Sequence, residues 1–200
     1  MDKVIHYYLA PMSPWTYLGH HRLAAMAERH GAKVLVKPVD LGRIFPLSGG
    51  LPLGHRAPQR QAYRLVELER WREYVGIPLN IHPKFFPVGG DAASRAIHAA
   101  ALVGGENAAM KVAFGCLKAV WVEDRNIADA ETLAVIVREQ GLDPTALAAR
   151  DAEAAARYAA CTDEAIEAKV FGAPTYSFNG VLYWGQDRLE FLDRALQRAR

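Results

Sequence analysis

Cysteine is almost missing from this chain: its 200 residues hold only Cys116 and Cys161, which form no Cys-x-x-Cys pair. That spacing excludes zinc ribbons and local dithiol redox pairs and suits a reducing compartment. An excess of one charge is missing too. Lys and Arg number 24 against 22 Asp and Glu, a formal net charge of +2, far short of the basic excess that binds nucleic acids or anionic membranes. No apolar run reaches the roughly 18 residues of a transmembrane helix. The first residues, Met1-Asp2-Lys3-Val4-Ile5-His6, lack the basic stretch and apolar core of an export signal. The expectation is a cytoplasmic protein with small-molecule partners, not nucleic acid and not membrane.

The glycine pairs at 49–50, 89–90 and 104–105 follow neither G-x-G-x-x-G nor Walker spacing, which sets nucleotide binding aside. The histidines show no ligand spacing, and the adjacent His20 and His21 would point to different faces of a helix, so no metal site is expected. What is present describes a globular chain. Hydrophobic residues make up 51% and charged residues 23%, which excludes disordered, fibrous and disulfide-scaffold classes and supplies a core that needs no staples.

Val4 to Ala10 is rich in β-branched and aromatic residues and stops at Pro11, the pattern of a buried strand. Ser13-Pro14 then opens a helix, since serine is a favoured N-cap and proline a favoured first helical residue, and Gly31 closes it. Lys33 to Val39 reads as a second strand, parallel to the first. Gly42 to Leu53, rich in Gly, Pro and Leu, is predicted as a loop. Helices are predicted at Pro58–Val75, Ala92–Val103, Asn107–Val122, Asp129–Gln140, Pro144–Arg150 and Ala152–Ala168, with loops at 76–90 and 124–127. In the tail, Pro174–Phe178 and Val181–Trp184 flank Asn179-Gly180, a strong hairpin signal, and Gln186-Asp187 starts a last helix with Leu189, Leu192 and Leu196 on one face.

The order β-α-β, helices, β-β-α predicts an α/β fold whose two ends complete one four-stranded, thioredoxin-type sheet around an all-α insertion. Residues 1–45 and 169–200 would form the discontinuous sheet domain, and residues 46–168 the helical insertion domain.

Three constellations carry chemistry. Ser13-Pro14-Trp15-Thr16 stands at a helix amino terminus, where unpaired N–H groups and the dipole favour an anion. A thiol with a pKa near 8.5 is only about 3% ionised at neutral pH, and lowering it by about two units, or about 2.7 kcal/mol, makes most of it reactive. A ligand thiol placed at Ser13 would gain that stabilisation without serine acting as nucleophile; the plainer reading is an N-cap worth about 1 kcal/mol. In Val170-Phe171-Gly172-Ala173-Pro174-Thr175, a cis Pro174 would present the Ala173 N–H and C=O as an open edge for an extended peptide. In Trp184-Gly185-Gln186-Asp187-Arg188, Asp187 would cap the last helix or bind a ligand ammonium group. Arg56, Arg60 and Arg64 recur every four residues, forming either a solvated basic face or a receiver of carboxylates.

Ser-Pro-Trp-Thr-Tyr-Leu-Gly at 13–19, Phe-Gly-Ala-Pro-Thr at 171–175 and Trp-Gly-Gln-Asp-Arg-Leu at 184–189 resemble the 2-hydroxychromene-2-carboxylate isomerases and the kappa-class glutathione transferases, in the DsbA-like branch of thioredoxin folds. The resemblance extends over almost the whole chain, including Leu68-Glu69-Arg70-Trp71 and Trp121-Val122-Glu123-Asp124-Arg125. Where redox relatives carry Cys-x-x-Cys, Ser13 and Thr16 stand here, so dithiol exchange at that site is unavailable.

The resemblance implies a glutathione-dependent isomerase of aromatic, naphthalene-type catabolism, and a homodimer. Ser13 is the implied catalytic residue, and Pro14, Trp15, Arg60, Ala173, Pro174, Gln186 and Asp187 are the implied glutathione contacts. The thiolate would add to the chromene, open its ring, allow rotation and leave. A kappa-like transferase or peroxidase, and a non-catalytic thioredoxin-fold module that binds peptides, are the alternatives. Two positions depart from the family: Gly50 stands where relatives commonly have asparagine, and Arg60 where they have lysine.

Overall fold

The apolar run at the start forms β1 (Val4–Leu9), whose side chains alternate between two faces. Ile5, Tyr7 and Leu9 enter the main core, and Tyr8 joins a smaller cluster with Val39, Ile44, Ala165 and Val170 on the opposite face. A computed structural model describes residues 2–199. Helix α1 (Pro14–His30) follows, with Ser13 in extended geometry at its N-cap and Gly31 in the left-handed region at its C-cap. The strand β2 (Lys33–Pro38) then pairs parallel to β1, Val4 opposite Lys33.

At the other end of the chain, β3 (Thr175–Phe178) runs antiparallel to β1, and β4 (Val181–Trp184) pairs with β3. The turn between them holds Asn179 at φ 50° and Gly180 at φ 78°, the positive angles a two-residue hairpin requires. The sheet order is β2-β1-β3-β4, so the two chain ends complete one four-stranded sheet as the element order predicted. A 3-10 turn over Gln186–Arg188 leads into the last helix (Leu189–Arg198), which buries Leu189, Leu192 and Leu196.

Between these ends the chain is helical, with two departures from the predicted elements. The stretch predicted as a loop contains α2 (Leu41–Ser48), which carries Pro46 in its interior. Asp40 caps it by accepting from Gly42 N–H at 2.7 Å, and Leu41 and Ile44 pack into the smaller cluster. Burial of that apolar face outweighs the breakers Gly42 and Pro46. A short 3-10 turn follows at Leu53–His55, and then α3 (Pro58–Val75).

The second departure concerns the two helices predicted at 92–103 and 107–122, which join without a loop in α4 (Asp91–Trp121). They meet at a kink where Gly105 takes φ 76° and ψ −175°, a conformation reserved for glycine. The kink turns Glu106 onto the outer edge of β2, where its carboxylate accepts from Val36 N–H at 2.7 Å and from Arg157 at 3.0 Å. Three further helices complete the block: α5 (Ala130–Glu139), α6 (Pro144–Ala148) and α7 (Asp151–Glu167). The final helix of the chain is therefore α8.

Gly105→Val is expected to cost about 1–3 kcal/mol, because the substituted residue must hold a backbone conformation it rarely adopts. Urea unfolding checks it, and an unchanged midpoint would rule the kink out as a constraint. Acid has a second expected effect. His20 is buried on α1, its Nε2 lying 3.1 Å from the Met110 carbonyl and its Nδ1 3.2 Å from the Tyr7 hydroxyl. A carbonyl only accepts, so Nε2 carries the proton and Nδ1 accepts from Tyr7. Burial, and next the His21 charge, push its pKa down to about 3, and burial pushes His98 down to about 4. Below the ordinary histidine pKa the unfolded chain therefore binds protons that the native chain refuses. Stability should fall as pH drops from about 6.5, by up to about 1.4 kcal/mol per unit for each histidine, and His20→Asn should flatten the slope by about one proton. Urea titrations between about pH 7 and pH 5 measure that slope.

Candidate active site

The amino end of α1 is built by three residues with different tasks. Pro14 contributes no N–H, Thr16 N–H donates to Ser13 Oγ at 3.2 Å, and Tyr17 N–H donates to Ser13 O at 3.0 Å. Of the first-turn donors only Trp15 N–H is left without a protein acceptor among the described residues. An N–H so placed, at the positive end of a helix, is what an anion seeks.

Opposite this end stands the loop before β3. The Ala173–Pro174 peptide bond is cis, a point the sequence alone does not decide. Ser13 Oγ–H points to Ala173 O at 3.4 Å, joining segments 160 residues apart. The hydroxyl thus accepts within its own helix while its single proton meets a weakly held carbonyl, and that proton is available to a better acceptor. Pro174 O accepts from Gly185 N–H at 2.9 Å, and Thr175 Oγ1 donates to Gly172 O at 2.7 Å, which fix the loop on both sides.

The third predicted constellation approaches the same helix from another side. Gln186 is buried, and its side-chain oxygen accepts from Arg22 at 2.5 Å. Its side chain thus faces the protein, whereas the neighbouring Asp187 is exposed and pairs with Arg188 at 3.0 Å. Gly19 permits this approach: a Cβ there would stand 2.7 Å from the Tyr176 hydroxyl and 2.8 Å from Gln186 Cβ. The glycine of the 13–19 motif is thus a contact point between α1 and the 186–188 turn. The Arg22 contact was missed at the sequence level, because nothing in the chain marks a residue on α1 as the partner of one 164 positions away.

The basic face divides. Arg56 precedes α3 and donates through Nε to Leu51 O at 2.8 Å, Arg60 is exposed on α3, and Arg64 turns inward. Its guanidinium carbon lies 5.0 Å from the Phe86 ring centroid and 5.7 Å from that of Trp121. Trp121 is fully buried and donates its indole N–H to Met12 O at 3.2 Å, one residue before Ser13. At Gly50 a Cβ would meet the Phe45 ring at 2.5 Å, so an asparagine there requires Phe45 to move.

Both cysteines lie in the helical block and are buried. Burial pushes the Cys116 thiol up to about 12 and raises that of Cys161, so neither supplies a reactive thiolate near neutral pH.

The chain resembles known proteins along its whole length. The model of the DSBA-like thioredoxin domain matches residues 4–197. A 2-hydroxychromene-2-carboxylate isomerase of Pseudomonas putida is 33% identical, over 98% of this chain and 95% of that protein. A solved 2-hydroxychromene-2-carboxylate isomerase superposes with a TM-score of 0.79 at 29% identity, covering 98% of this chain and 95% of the other. The cytosolic disulfide reductase DsbM of Pseudomonas aeruginosa superposes at 0.68 with 25% identity, covering 98% of this chain and all of that one. From a helix-capping serine facing the Ala173 carbonyl, across a split sheet with helices between its halves, the chain belongs to the DSBA-like thioredoxin-domain family, in the group that contains the 2-hydroxychromene-2-carboxylate isomerases.

Proposed function

We propose that this protein is a glutathione-dependent isomerase of a 2-hydroxychromene-2-carboxylate or a closely similar bicyclic carboxylate. The observation that carries the reading is the Ser13 hydroxyl, set at the amino end of α1 and 3.4 Å from Ala173 O. The isomerase relatives supply the reaction class.

The residues present fit glutathione. Ala173 offers backbone groups that strand pairing leaves open, suited to the extended backbone of a small peptide. Asp187, exposed on the turn that follows β4, would receive the γ-glutamyl ammonium, while Gln186, braced by Arg22, holds the turn in position. Trp15 and Pro14 form the helix end against which the sulfur would lie, and Arg60 offers a cation to a carboxylate. When bound, glutathione supplies the thiolate that adds reversibly to a conjugated ring and leaves unchanged.

The chain's own groups do the rest. Ser13 turns its O–H from Ala173 O to the sulfur, and the Trp15 N–H and the helix dipole add to the field that favours negative charge there. Together they keep the thiol ionised near neutral pH. Thr16 N–H holds Ser13 Oγ in place throughout.

Ser13→Ala is expected to lower kcat about 10²- to 10³-fold, as loss of one preorganised donor does, while stability drops by only about the 1 kcal/mol of an N-cap. A chain with Cys116→Ala and Cys161→Ala should keep both its activity and its requirement for added glutathione. Isothermal titration with reduced glutathione supplies the decisive control: no heat at millimolar concentration, or turnover without the tripeptide, would sink the reading. Accumulation of a thioether from an aryl halide, with no isomerisation, would instead assign the site to a transferase.

A further inference from the structure

Among the described residues no acid pairs with the cationic cluster beside the site. Arg56, Arg60 and Arg64 repel one another: the Arg60 charge adds to burial in lowering Arg56, and the Arg56 charge adds to burial in lowering Arg64. No carboxylate pairs with Arg64 among the described residues, and its buried Nη2 finds no hydrogen-bond partner. A half-buried guanidinium with an orphaned N–H and like charges around it is destabilising for the fold alone. Its position gives it a use. It stands over Phe86 and Trp121, two rings 4.8 Å apart, and Trp121 is bonded to the carbonyl of Met12, the residue before Ser13. Trp121 is fully buried, so a conjugated acid would meet the cation rather than the indole, and a guanidinium can take a carboxylate in a two-point contact.

We propose that Arg64 is a second carboxylate-binding residue of this site, presenting its guanidinium from its seat on Phe86 and Trp121 to a carboxylate carried either by the ring substrate or by the glycyl end of glutathione. This rests on the functional reading above, but its test needs no turnover. Binding of 2-naphthoate and methyl 2-naphthoate, and of glutathione and its glycyl ethyl ester, is measured by isothermal titration to the wild-type chain, Arg64→Met and Arg64→Lys. Arg64→Met should weaken the acid of one pair roughly ten- to hundredfold, to the affinity of its ester, and leave that ester unchanged. Arg64→Lys should recover part of the loss. A change confined to the naphthoate pair assigns the carboxylate to the ring substrate, and one confined to the glutathione pair assigns it to the tripeptide.

If Arg64→Met weakens acid and ester equally, or the wild-type chain binds acid and ester alike in both pairs, Arg64 is only a packing cation and the proposal fails. Should Arg64→Met not fold, the acid-to-ester ratio of Arg64→Lys, which keeps the stem and the charge, decides in the same way: an unchanged ratio in both pairs overturns it. A chain that discriminates naphthoate from its ester but never isomerises a chromene carboxylate keeps the carboxylate site and loses the function proposed above.

Discussion

The indole N–H of Trp121 reaches the Met12 carbonyl at 3.2 Å, and much of the site follows from that bond. It ties the far end of the long kinked helix to the loop that delivers Ser13, so the helical block and the sheet meet at the helix end where an anion is favoured. Trp121 is fully buried, and an indole donor without a partner in that place would cost about 1–3 kcal/mol. The bond therefore sets the register of one unit on the other, and Phe86 and Arg64 take their places from the same ring.

The parts of the fold set by local chemistry were legible in the sequence. Ser13 with Pro14 marks a helix start through capping and a fixed φ. Asn179-Gly180 marks a hairpin because both residues tolerate positive φ. Once these ends were in place, the crossover rules left little choice for the sheet. The parts set by tertiary contact were not legible. Helix α2 contains Gly42 and Pro46 and reads as a loop until its apolar face is seen against α7. The kink at Gly105 is invisible as geometry, since a glycine pair signals a break without giving its direction.

At the site the same division holds. Ser13, Ala173 with Pro174, and Asp187 stand out as candidates because each sits at an element boundary with recognisable chemistry, and the structure brings Ser13 and Ala173 together. The three arginines were found as a pattern, but their spacing does not say which one turns inward. That depends on Phe86, which arrives from a loop outside the helix. Arg22 carried no signal, since its partner Gln186 is 164 residues distant.

The Glu106 carboxylate on Val36 N–H has a consequence for how this chain behaves in a crowded solution. β2 is an outer strand made of Lys-Val-Leu-Val-Lys-Pro, apolar and β-branched at its centre, the kind of edge on which sheets of different molecules recruit one another. A carboxylate seated on its outward N–H removes a docking point for a foreign strand, and Arg157 holds that carboxylate in position. The guard on this edge thus rests on a glycine, a glutamate and an arginine that take no part in the proposed chemistry.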